Sequence, residues 1–206
     1  WSVLRGSSNK YVYSPGTSDL TVGVLYHIAV TVDGASMISY INGVQKGVKT
    51  DGHEPIVKTR SNCYIGKSNW AADSYLSGEV SSLKIYSGAM TETEVAAAYV
   101  ATLPLCQKGG TASTCAVRST NPACTDSVTR CCSGSATTIF FDSSVTAVVS
   151  NAFEGCTLLA SVNFVLATSL ASIGASAFAS TQVNPFSVNF GTLSCATVAA
   201  PTSFGF

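Results

Sequence analysis

Over residues 26–32 apolar side chains alternate with His27 and Thr31, a period of two that predicts a strand. Asp33-Gly34 then turns the chain, and residues 37–41 form a second strand-like run that ends at Asn42-Gly43. Asn-Gly between two such runs is a strong hairpin signal, because a type I′ turn needs positive φ at both central residues. Further strands are predicted over residues 63–65 and 76–86. The period then changes. Thr91, Glu92, Thr93 and Glu94 form a capping box, in which the Thr91 hydroxyl serves the amide three residues on and Glu94 reaches back. A short alanine-rich helix continues over residues 95–101, and Pro104 closes it.

From residue 105 to 134 no periodicity is present, only cysteines, Gly109-Gly110, Pro122 and small polar residues, which predicts a disulfide-knotted connector. The remainder repeats itself. Residues 145–153 match residues 170–178 at an offset of 25, both ending in Ala-Phe, at Phe153 and Phe178. The triplets Ile139-Phe140-Phe141, Val162-Asn163-Phe164 and Val188-Asn189-Phe190 recur at intervals of 23 and 26. A period of about 20–29 residues with one short strand per repeat is the signature of leucine-rich repeats, in which each unit needs neighbours to bury its apolar face.

Composition narrows the classes. Hydrophobic residues make up 46% of the 206 and charged residues 11%, with zero net charge, so no basic field attracts nucleic acid or anionic lipid. No apolar run approaches the roughly 18 residues that cross a bilayer. The chain opens at Trp1 without a leader's basic and apolar regions, as expected if a leader was removed or if this is a piece of a longer chain. All eight cysteines, Cys63, Cys106, Cys115, Cys124, Cys131, Cys132, Cys156 and Cys195, are expected in disulfides of an oxidising compartment. Zinc is disfavoured because the run from Cys106 to Cys132 contains none of the Cys knuckles that zinc sites use. Connectivity is left open.

His27-Ile28-Ala29-Val30-Thr31-Val32-Asp33-Gly34, Tyr40-Ile41-Asn42-Gly43, Tyr64-Ile65-Gly66, the stretch from Gly78 to Tyr86 and the helix start at Thr91 together resemble the laminin G-like, concanavalin A-like jelly roll. The resemblance covers roughly residues 20–101 and corresponds to the C-terminal half of such domains. Leu25 stands where the family usually has Trp, and Ser81 where it often has Asp. Asn151-Ala152-Phe153-Glu154-Gly155-Cys156, and Ala177-Phe178 with Thr181 in place of the Cys, resemble BspA-like leucine-rich repeats over roughly residues 139–190. Both resemblances imply cell-surface proteins that bind glycans, matrix or each other, though fold alone does not dictate function.

Candidate chemistry is sparse. Only His27 and His53 could serve a nucleophile, and no G-x-S-x-G elbow occurs. Glycoside hydrolysis needs paired carboxylates, and the close pair Glu92/Glu94 is explained by helix capping. The laminin G-like resemblance implies calcium at a rim, for which Asp33, Asp51 and Asp73 are isolated candidates; solvated turn residues are the simpler reading. The loop of residues 68–75 offers Asn69, Trp70, Asp73 and Tyr75 as an aromatic and polar platform for a glycan, or equally a Trp packed on a sandwich rim. Charge is distributed unevenly: all 11 Lys and Arg precede position 131, and beyond Ser133 only Asp142 and Glu154 are charged. So neutral a surface favours association, with O-linked sugar or neighbouring copies as its cover. No Asn-x-Ser/Thr sequon is present.

The expected class is therefore all-β: a jelly-roll-like sandwich with one short helix over residues 1–103, a cysteine-rich connector over 104–134, and a short leucine-rich-repeat-like segment with an apolar tail over 135–206. The expected role is a non-catalytic extracellular structural or adhesive protein, a repeating subunit of a surface filament or coat. The partners would be other copies, in head-to-tail contact, with glycans or matrix besides. A monomeric lectin-type module is the alternative. No cofactor is expected, calcium being the one candidate.

Overall fold

The computed structural model describes residues 2–5, 8–11, 19–53, 59, 63–67, 71–107, 110–119, 135–183 and 188–189. The chain divides into two compact units, Trp1–Thr91 and Glu92–Phe206.

Unit 1 is antiparallel. Strands β1 (Ser2–Arg5) and β2 (Ser8–Tyr11) form a two-stranded ribbon. Strands β3 (Ile28–Asp33), β4 (Ser36–Ile41) and β5 (Val44–Lys49) form a meander in the order β3-β4-β5. Local turns set this register. Asn42 and Gly43 both have positive φ, 51° and 76°, as a two-residue turn between Ile41 and Val44 demands. The Asn42 side chain fixes the neighbouring strand as well: its Oδ1 accepts from the His27 amide at 2.9 Å, and the Asn42 amide donates to the His27 carbonyl at 2.7 Å. A bulge at Ser39/Tyr40 shifts β5 by one residue against β4. Burial concentrates on the central strand, at Met37, Tyr40 and Ile41.

The strands expected over residues 63–65 and 76–86 are not formed, and none of the described residues from 50 to 91 lies in a strand. Apolar side chains alone do not make a strand, which also needs a hydrogen-bonded neighbour. Leu76, Val80, Leu83, Ile85 and Tyr86 are all more than half exposed.

Unit 2 is a parallel stack. Strands β6 (Thr114–Val117), β7 (Thr138–Phe141), β9 (Ser161–Asn163) and β11 (Val188–Asn189) make a four-stranded parallel sheet, and β8 (Ala147–Val148) pairs in parallel with β10 (Ser172–Ile173). Partners sit one repeat apart, Thr114 beside Thr138, Thr138 beside Ser161 and Val162 beside Val188. Each coil thus returns in the direction of the last. This overturns the expected all-β jelly roll: the chain combines separate antiparallel and parallel sheets with a helix, because a repeat that advances one coil at a time pairs like with like in parallel. Strand β6 also lies inside the segment expected to be an irregular connector.

Strand alternation gives this sheet two different faces. Inward, Cys115, Ile139 and Val162 form a buried column in register with Val188, and Phe141 stacks on Phe164 with centroids 4.6 Å apart. A second column comes from the Ala-Phe elements, where Phe153 stacks on Phe178 at 5.3 Å. Edge-on contacts, Phe141 to Phe153 and Phe164 to Phe178, tie the two columns. Outward, Ala116 and Phe140 lie under helix α1 (Glu92–Val100), which brings Ala96, Tyr99 and Val100 against them with Leu166. Arg118 holds the end of that helix, donating to the carbonyls of Val100 at 2.7 Å and Leu103 at 3.3 Å. A cation at this end also suits the helix dipole.

The start of the stack is closed covalently. Leu105 bridges in parallel to Ala116, and the Cys106–Cys115 disulfide lies beside it, fully buried at the foot of the inward column. Cys156 is disulfide-bonded too. Cys63 departs from expectation: it is exposed and carries a free thiol, because the segment around it has no second cysteine packed against it among the described residues. Cys124, Cys131, Cys132 and Cys195 lie outside the described residues.

The coils touch most closely at Gly174. A Cβ built there would lie 2.3 Å from the Ser150 amide nitrogen, and the Gly174 amide donates to the Val148 carbonyl at 2.7 Å. Backbone against backbone cannot yield as a side chain would. Gly174→Ala is therefore expected to destabilise unit 2 by about 2–3 kcal/mol, while Ala171→Ser, at an exposed position of the same coil, changes stability by less than about 0.5 kcal/mol. Urea unfolding of both variants, with hydrogen exchange of the β8 and β10 amides, checks this.

Candidate functional site

The candidate glycan platform falls in unit 1. Asn69 and Trp70 lie outside the described residues; Asp73 and Tyr75 are both exposed. The Leu76 amide donates to the Gly66 carbonyl at 2.8 Å and closes the base of the loop that carries them. That closure brings two aromatic residues from opposite sides of the loop to one cation: the Lys67 ammonium lies 4.8 Å from the Tyr64 ring centroid and 5.6 Å from that of Tyr75. Tyr64 and Lys67 are not among the expected site residues. Their signal was weak, since only the spacing of Tyr64 and Tyr75 on either side of the loop hinted that closure would join them.

The carboxylates proposed for calcium do not converge. Asp51 pairs with Lys49 at 2.7 Å, and among the described residues no group of three or more His, Cys, Asp or Glu side chains is placed to hold a metal ion. Of the two histidines, His27 has a structural use. His27 enters β3 through its backbone bonds to Asn42, and its imidazole titrates below the ordinary value, first because burial disfavours the charged ring and second because the Lys84 ammonium repels it.

Unit 2 holds a shallow cleft of about 250 Å³ between α1 and the parallel sheet, lined by Thr93, Ala97, Val100, Arg118, Asp142 and Leu166. Its charged groups are committed to structure. Arg118 Nε lies 3.5 Å from Asp142 Oδ2 while the same guanidinium holds the helix carbonyls, and Asp142 Oδ1 accepts from the Ser144 amide. Arg118 thus ties the end of α1 to Asp142 beside the sheet.

The N-terminal strands, the Asn42-Gly43 hairpin and the Tyr64-Ile65-Gly66 loop all fall within one stretch of known pattern. Residues 1–96 match the profile of the concanavalin A-like lectin/glucanase superfamily. This laminin G-like match begins at the first residue, where the expectation placed it near residue 20, and runs into α1. The expected BspA-like repeats find no family counterpart over residues 139–190, where the described strands β7 to β11 lie in the parallel sheets of unit 2. No curated protein matches the chain. A crystal structure of an S-layer domain-containing protein (residues 221–444) from Clostridium thermocellum is similar at 29% identity and a TM-score of 0.37, over 45% of this chain and 45% of that one. At that score the likeness bears on neither fold nor role, and the chain spans less than half of that structure. The laminin G-like match and the buried disulfide point to a surface or extracellular protein. Among the described residues no helix is long and apolar enough to cross a membrane.

The lowered titration of His27 has a sign. The unfolded chain binds the proton more readily than the folded one, so stability rises with pH through the interval between the folded value and the ordinary 6.5. Acidification from neutral pH through that interval is expected to weaken unit 1, and His27→Gln to flatten this part of the profile. Thermal unfolding of both proteins across pH 5–8 checks it, an unchanged slope in the variant counting against the assignment.

Proposed function

We propose that this chain is a non-catalytic extracellular structural or adhesive protein whose unit 1 joins other copies of itself through β contacts. One observation supports this above the others: the segment 76–86 carries Leu76, Val80, Leu83 and Ile85 more than half exposed and lies in no strand ladder of its own. Exposed apolar side chains in a segment without a ladder offer a place where a strand from another chain can add. A candidate donor is written in the sequence after residue 190, beyond β11, where no charged residue occurs. A contact between two different surfaces of one molecule propagates head to tail and builds a filament or coat unless it closes into a ring. The non-catalytic reading is supported by the placement of the acids: Glu92 and Glu94 in the first turn of α1, Asp142 against Arg118.

A second reading, a lectin-type module acting alone, is favoured by the exposed aromatics of the 64–76 loop and by the superfamily that residues 1–96 match. Two measurements separate them. Light scattering of the whole chain at neutral pH is expected to give species well above 21.2 kDa, and either Ile85→Lys with Leu83→Glu or deletion of residues 191–206 to return it to a monomer. A monomer throughout refutes assembly. Trp70→Ala is expected to weaken retention on a glycan array by about 1–3 kcal/mol if the loop holds sugar, and an unchanged profile rejects that role.

A further inference from the structure

The Tyr64–Lys67–Tyr75 cluster lies in the loop of the second reading and has a chemistry that sugar binding does not use. Two tyrosine rings share one ammonium, at 4.8 Å and 5.6 Å, both within the roughly 6 Å over which the negative face of a ring attracts a cation. The rings come from residues on either side of the Gly66–Leu76 backbone hydrogen bond, which holds their backbones together without Lys67. Both remain open to water, Tyr64 at 48% and Tyr75 at 70% exposed, so a cation from solution can reach them. The present occupant is poorly matched. A lysine ammonium is compact and strongly hydrated, and it gives up water to sit against a ring. A quaternary ammonium has no N–H to hydrate and spreads its charge over methyl groups that pack on an aromatic face.

We infer that Tyr64 and Tyr75 form a binding site for a quaternary ammonium of the choline type, and that Lys67 is an internal competitor for it. The site needs no metal and no carboxylate. Lys67, on its flexible four-carbon stem, swings out when the ligand enters, so the affinity of the native chain is held down by its own side chain. Choline chloride titrated into the whole protein, with tyrosine ring resonances as the readout, tests this. Lys67→Ala is expected to bind choline about 2–5-fold more tightly than the native chain, the equivalent of one exposed cation–π contact released. In the Lys67→Ala background, Tyr64→Ala or Tyr75→Ala is expected to weaken binding by a similar factor, while Tyr64→Phe, which keeps the ring face, retains it. Ammonium chloride at equal ionic strength should not shift the same resonances. No saturable binding by Lys67→Ala, or tighter binding by the native chain than by that variant, overturns the proposal. Retention by phosphatidylcholine vesicles against a choline-ester polymer then distinguishes the carrier that presents the group. The failure of assembly or of glycan binding would leave these outcomes unchanged, because neither uses the Lys67 side chain.

Discussion

Unit 2 depends on one constraint: each coil must lie parallel to the last and in register with it. Everything apolar in that half follows. When Thr138 sits beside Thr114 and Ser161 beside Thr138, every inward residue falls on its counterpart, and Phe141 meets Phe164 face to face. The loops obey the same rule. Amides of Asn151, Phe153 and Gly155 donate in turn to the carbonyls of Ala175, Ala177 and Ala179. Asn151 and Ser176 both adopt positive φ, as do Gly155 and Ser180, so even the strained turns repeat from coil to coil. Where a counterpart is lost, the geometry substitutes another bond. Thr181 stands where the previous coil has Cys156, and its hydroxyl donates to the Phe178 carbonyl at 2.7 Å.

Unit 1 is organised by the opposite logic. Its register comes from two-residue turns and a single asparagine side chain, all local in sequence, and it needs no distant partner to form the three-stranded meander. Local turns do not, however, cover a sheet. Unit 2 closes its inner face with aromatic columns and its outer face with a helix, whereas unit 1 leaves Val44, Val48 and Leu83 in water. Among the described residues the two halves therefore differ in what they expose: unit 2 covers both faces of its sheet, and unit 1 leaves large apolar side chains in water.

Legibility tracked the range of the interaction. The Asn42-Gly43 hairpin was readable because its turn chemistry is contained in two residues. The helix was readable because Thr91 to Glu94 spell its start, and α1 begins at Glu92. The repeat was visible as spacing, and the parallel sheet follows that spacing, with partners 23 to 26 residues apart. The strand expected over 76–86 did not form: its apolar positions, Leu76, Val80, Leu83 and Ile85, keep no period of two and name no neighbour. Cys63 counted as one of eight equivalent cysteines in composition, and only its surroundings distinguish it. The Tyr64 and Tyr75 pair depends on a loop closure between Gly66 and Leu76 that no local pattern announces.

The boundary between the units has a mechanical consequence. It falls between Thr91 and Glu92, at the first residue of α1, so tension in the chain enters unit 2 through the start of that helix. Helical hydrogen bonds loaded along the axis give way one turn at a time, and the apolar contacts of Ala96 and Tyr99 with the sheet peel with them. The peeling stops where Arg118 grips the carbonyls of Val100 and Leu103, and a few residues later the load meets the Cys106–Cys115 bond. Beyond that bond the force runs across the ladder of β6 and β7, where many hydrogen bonds must break together. The helix is thus a compliant element in series with a stiff one, and a protein anchored through unit 1 would lengthen before its stack of coils came under strain.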